Sequence, residues 1–104
     1  MKIYVASPYT LGGKAKNVNN AIWATELLAQ HGHKPFCPLL FHFWDTVYPH
    51  TWEFWMQQCL AWLPVCDAIL RLPGESKGAD IEVETARQLG LKIYWHINDV
   101  PTEI

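Results

Sequence analysis

Glu82 and Glu84 stand two apart in the segment SKGADIEVETARQLG. On a helix that spacing points them to different faces, so they cannot act as a carboxylate pair. The ordinary reading of a glutamate in the first two turns is a solvated side chain that favours the helix dipole; the sharper reading is catalysis by Glu82. Just before it, PGESKGAD feeds a helix N-terminus, where free N–H groups and the dipole both favour an anion. Ser76 and Gly78 would let a phosphate or hydroxyl approach the backbone closely, although an N-cap and a turn glycine explain the same residues.

Other chemical motifs fail on spacing. TLGGK, at residues 10–14, lacks the first glycine of a phosphate-binding P-loop and has no Ser or Thr after Lys14. No G-x-G-x-x-G is present, which argues against NAD chemistry as the failed P-loop does against ATP hydrolysis. Of the five histidines, His31 and His33 sit at a helix end, and His42 and His50 flank an aromatic loop without a Cys or carboxylate at ligand spacing. They read as surface or loop residues rather than as a zinc site. No cofactor is expected.

The elements that must position Glu82 follow from periodicity. KIYVA (2–6) reads as a strand and SPYTLGG as a loop. Val18, Ile22, Leu27 and Leu28 place a helix over about 14–30, closed by Gly32. KPFCP is a brief second strand, and residues 39–50 resist assignment. Thr51 caps a helix whose Trp52, Trp55, Met56, Cys59, Leu60 and Leu63 form one apolar stripe. DAILRL (67–72) is a third strand, Ser76 caps a helix over about 77–89, and LKIYW is the last strand. The tail from Asn98 reads as loose. Strands alternating with helices imply a parallel sheet covered on both faces. Ligands then bind beyond the carboxyl ends of the strands. SPYTLGG, PLLFHFW and PGESKGAD all belong to that edge, which brings His42 to the mouth and Glu82 near it. Asp67 opens a strand at the opposite edge, where it caps or links the preceding helix end.

At 104 residues with half of them hydrophobic, the chain forms one ordered domain over 1–104. A net charge of −2 gives no reason to expect nucleic acid or an anionic membrane. The three cysteines form no CxxC pair, the opening MKIYVASPYT is too short an apolar run for a signal peptide, and no stretch approaches a membrane span. A cytoplasmic location is the expectation. Four of the six tryptophans (Trp44, Trp52, Trp55, Trp62) fall within nineteen positions, more than so small a core can hide, so some should line a pocket or a subunit interface.

Three stretches together resemble the nucleoside 2-deoxyribosyltransferase superfamily, which includes 2′-deoxynucleoside 5′-phosphate N-hydrolases. They are KIYVASP, CLAWLPVCDAIL, and SKGADIEVETARQLG with Gly78, Glu82, Ala86 and Gly90 at four-residue intervals. The resemblance implies a Rossmann-like (flavodoxin-like) three-layer sandwich with a four- to five-stranded parallel sheet. It also implies cleavage of a nucleoside N-glycosidic bond, by hydrolysis or base transfer, through Glu82 as nucleophile. Ser7, Tyr9, Ser76 and Gly78 would hold the sugar and any 5′-phosphate. The aromatic loop from Phe41 to Trp44, with His42 in it, would stack on the base, a contact worth roughly 1–3 kcal/mol.

One position departs from the family pattern: Cys59 stands where related sequences carry an aspartate that orients the sugar or manages protons near the leaving base. Either Glu53, Asp45 or His42 does that work, or the reaction is weak, altered or absent. A nucleotide-binding module without turnover is therefore the alternative, and a purely structural oligomer a third. Related proteins share active sites between subunits, which implies a homodimer or higher homo-oligomer with the helix from Thr51 to Leu63 near the interface.

Overall fold

The computed structural model describes residues 1–103. Four parallel strands, β1 (Lys2–Ala6), β2 (Lys34–Phe36), β3 (Ala68–Arg71) and β4 (Lys92–Tyr94), form one sheet in the order β2-β1-β3-β4. β1 and β3 are central and buried on both faces, which is why they read as continuous apolar runs rather than alternating ones.

Alternation along β1 divides the core. Ile3 and Val5, with Ala68 and Leu70 of β3, face helix α1 (Lys14–Gln30). Tyr4, Ala6 and Ile69 face the opposite layer, built by α3 (Trp52–Leu60), α4 (Lys77–Gln88) and a 3-10 turn at Leu63–Val65. The result is a three-layer α/β sandwich of the expected Rossmann-like kind.

α1 has the expected bounds, but its buried stripe is Val18, Ala21, Ala24 and Leu28, while Ile22 and Trp23 face outward. The small alanines let the helix lie close to the sheet. Both expected side-chain caps are present. Thr51 Oγ1 accepts from Phe54 N–H (3.2 Å) and Ser76 Oγ from Ala79 N–H (3.1 Å).

Several expectations need correction. Much of the stretch 39–50 that resists assignment is helical: a 3-10 turn at Pro38–Leu40 runs into helix α2 (Phe41–Val47). α3 ends at Leu60, and only Cys59 and Leu63 of its apolar stripe are buried; Trp52 is 48 % exposed. His33 is a core residue, 1 % exposed, not a surface one. It accepts from the N-terminal ammonium at Nδ1 (3.1 Å) and donates from Nε2 to the Pro101 carbonyl. The tail is tied down for the same reason. Val100 packs into the α1-side core, Glu103 N–H donates to the His31 carbonyl (2.8 Å), and its carboxylate pairs with the N-terminus (2.7 Å). Asp67 lies at the far edge as expected, but it accepts from Lys2 N–H (2.8 Å) rather than serving the preceding helix.

In this strand order the chain leaves β1 toward β2 on one side and returns to β3 on the other. The switch point lies between β1 and β3, where a crevice opens beyond the strand ends. Among the described residues no helix is long and apolar enough to cross a membrane.

Candidate active site

A cavity of about 430 Å³ occupies that switch point. Ser7, Tyr9 and Lys14 reach it from the β1–α1 loop and the start of α1. Leu39, Phe41, His42 and Asp45 reach it from the segment after β2. α3 adds Trp52, Trp55, Met56 and Cys59, the loop into α4 adds Glu75 and Ser76, and α4 itself adds Gly78 and Glu82.

Glu82 is 6 % exposed. It belongs to the stripe Ala79, Glu82, Val83 and Ala86 that α4 presses onto the sheet, so the helix carries a carboxylate at a core position. Glu84 faces solvent beside Arg87 (3.3 Å). Tyr4, wholly buried at the centre of β1, is the answering group: its hydroxyl donates to Glu82 Oε2. A buried phenol must find a partner, and this is the one it has. Burial pushes the Glu82 carboxyl up to about 7, against the lowering influence of the Tyr4 hydrogen bond and of Arg71. Burial likewise pushes the Tyr4 hydroxyl far up, with the Glu82 charge adding to it, so Tyr4 acts as a fixed donor.

Cys59 lines the cavity beside this pair. Its thiol is pushed up to about 12, first by burial and then by the Glu82 charge. It is a neutral thiol and offers no second carboxylate.

The far wall is aromatic. Asp45 Oδ1 accepts from Trp55 Nε1 (2.7 Å) and His50 N–H (3.0 Å), which join α2 to α3. These bonds, the backbone one foremost, hold the Asp45 carboxyl below its usual range. Tyr9 Oη and His42 Nδ1 lie 2.6 Å apart. The Tyr9 loop is pinned from beneath by buried Asn17, whose Nδ2 donates to the carbonyls of Tyr9 (2.9 Å) and Leu11 (2.8 Å). Lys14 and Lys77 place their ammonium groups over the rings of Tyr9 and Trp52 (5.2 and 5.5 Å).

Of the residues singled out from the sequence, Glu82, Ser7, Tyr9, His42, Ser76 and Gly78 share this cavity. Trp44 does not line it. Its ring packs edge-on against Phe41 and Trp55 (centroids 5.4 and 4.8 Å) and braces the wall from behind. Gly78 has a packing reason of its own, since a Cβ there would meet Met56 Sδ at 3.4 Å and Trp52 Nε1 at 3.6 Å. Tyr4 and Arg71 were not singled out. Arg71 is buried at the end of β3 and fastens the following loop by donating to the carbonyls of Leu72 and Gly74 and to Asp80 (3.0 Å). Alternation from Ala6 would have put both on the Glu82 face. Among the described residues, no three His, Cys, Asp or Glu side chains gather to hold a metal ion.

A parallel Rossmann-like sheet with a buried carboxylate at its switch-point cavity defines a small α/β protein with a candidate site at that edge. The chain belongs to the family DUF4406, a domain of unknown function, whose model matches residues 1–95. Among solved structures it is similar to a 2-deoxyribosyltransferase from the psychrotolerant bacterium Bacillus psychrosaccharolyticus. That likeness has a TM-score of 0.65 and 20 % identity, and covers 89 % of this chain and 69 % of the other. It shows a shared fold. No curated protein matches the chain.

Proposed function

We propose that this protein cleaves the N-glycosidic bond of a nucleoside or nucleoside 5′-monophosphate, by hydrolysis or base transfer, with Glu82 as nucleophile. The observation that carries this reading is the Glu82 carboxylate, buried at the ligand edge of the sheet and open to a cavity of nucleoside size. Tyr4 engages Oε2, which leaves Oε1 free to attack C1′ of the sugar. As the C1′–O bond forms, the C1′–N bond breaks and its electron pair leaves with the base, through an oxocarbenium-like transition state. Water or a second base then releases the sugar and restores the carboxylate. Ser7, Tyr9, Ser76 and Gly78 hold the sugar and any 5′-phosphate, while Phe41 and Trp55 offer ring faces to the base. The fold shared with a 2-deoxyribosyltransferase supports the same reading.

The test is incubation with a panel of 2′-deoxynucleosides, ribonucleosides and their 5′-monophosphates, followed by chromatography for free base. Base release from at least one substrate is expected. The neutral Cys59 thiol favours a second reading, a binding module without turnover. In that case the panel would raise the melting temperature and liberate no base.

The outer face of the aromatic wall bears on assembly. Phe43, Val47, Tyr48 and Trp62 are exposed around α2 and α3. We infer that a second copy covers this face, so the protein should run as a homo-oligomer in light scattering. A monomer at working concentration defeats that inference.

A further inference from the structure

A neutral base that departs with the glycosidic electron pair needs a proton, and the position held by Cys59 offers no carboxylate to supply it. The cavity narrows the alternatives. Glu53 is exposed and does not line it, and Glu75 sits on the exposed loop leading into Glu82's own helix. Asp45 is on the lining, but its Oδ1 already accepts from two N–H groups, which keep the side chain an anion and an acceptor. His50 lies flat on Phe54, ring centroids 3.8 Å apart. The ammonium groups of Lys14 and Lys77 are engaged over the rings of Tyr9 and Trp52.

His42 remains. We propose that His42, oriented by Tyr9 and backed by Asp45, is the general acid that protonates the leaving base, a role that rests on the nucleoside reading above. Three features carry it. His42 lines the cavity on its aromatic wall. Its Nδ1 is 2.6 Å from the hydroxyl of Tyr9, whose backbone carbonyl the Asn17 side chain clamps. In the imidazolium and in the neutral ring left when Nε2 gives up its proton, Nδ1–H donates to the Tyr9 oxygen, so one contact orients the imidazole in both states. Asp45 lies three residues on along α2, on the same helical face, its carboxylate fixed by Trp55 and His50. Imidazole is also the side chain that exchanges a proton near neutrality.

In the first step Nε2–H gives its proton to a ring nitrogen of the base as the C1′–N pair moves onto the base and Glu82 bonds to C1′. In the hydrolytic second step neutral His42 takes a proton from water as the water oxygen bonds to C1′. The ester bond breaks toward Glu82, and both groups are restored.

The experiment compares leaving groups. Wild type, His42→Asn and Tyr9→Phe are assayed with a neutral purine 2′-deoxynucleoside and with its N7-methylated form, whose base is already cationic and departs without a proton. For His42→Asn the neutral substrate should lose about 100-fold in kcat/KM, and the methylated one at least about tenfold less. Tyr9→Phe should show the same inequality with smaller losses. Turnover of the methylated substrate reports that fold and nucleophile are intact in each variant. Equal losses on both substrates would overturn the role of His42 while leaving the nucleoside reading in place. A wild type that frees no base from either substrate would overturn the reading itself, and this inference with it.

Discussion

Glu82→Gln should abolish base release, by about 10⁴-fold or more as expected for a lost nucleophile, and should make the protein more stable at pH 8. The second effect separates this residue from an ordinary helix glutamate. The folded carboxyl titrates at about 7 against 4.5 for an unperturbed glutamate, because burial penalises the ion. Between those values the folded chain keeps a proton that the unfolded chain has released, so stability falls as pH rises through the window. Below 4.5 the cost is absent; above 7 it is complete, about 3 kcal/mol at most. Glutamine fills the same space without charge and still accepts from Tyr4. Melting curves should therefore place Glu82→Gln above wild type at pH 8 by up to about 12–24 °C, at about 4–8 °C per kcal/mol, and close to it at pH 4.5. An equal difference at both pH values would mean that Glu82 does not titrate as a buried acid.

Tyr4→Phe should lower kcat/KM at pH 7 by about 10- to 100-fold, the equivalent of the roughly 1.5–3 kcal/mol of a hydrogen bond to a charged group. The loss should also depend on pH. The Tyr4 hydroxyl stabilises the ionised carboxylate and so holds the Glu82 carboxyl down. Without it the carboxyl rises further above 7, less of the enzyme carries the nucleophilic anion at neutrality, and the ascending limb of kcat/KM moves to higher pH. The deficit should shrink toward pH 9. A loss constant across pH would reduce Tyr4 to a packing role.

These two residues also show where the sequence was legible. Strand and helix order, the parallel sheet, both side-chain caps and the location of Glu82 follow from period, turn residues and the carboxyl-edge rule. Each of those signals is local. What stayed hidden depends on contacts between distant segments. Tyr4 reads as one more β-former until β1 is known to lie under α4, seventy-eight residues away in sequence. The core position of Glu82 shows only once Ala79, Val83 and Ala86 are recognised as a stripe, and small alanines give a weak periodic signal. The same holds for α1, where Ala21 and Ala24 are buried and the larger Ile22 and Trp23 are not.

The aromatic segment misled for a related reason. Phe41 to His50 carries so many large apolar groups that no face stands out, and its helix rests on ring contacts with α3 and on the Asp45 clamp rather than on its own period. His33 and the C-terminal residues look polar and free in sequence. They are fixed by each other and by the N-terminus, which no pattern along the chain reveals.

The central claim is a covalent bond between Glu82 and a sugar. Incubation with a 2′-deoxy-2′-fluoroarabinosyl nucleoside, whose fluorine slows release of the glycosyl group, followed by intact-protein and peptide mass spectrometry, tests it directly. A mass increase of one fluoropentosyl group, carried by the peptide that contains Glu82 and absent in Glu82→Gln, is the predicted result. Base released from this nucleoside in at least enzyme-equivalent amount with the sugar found on another residue, or on none, would contradict it.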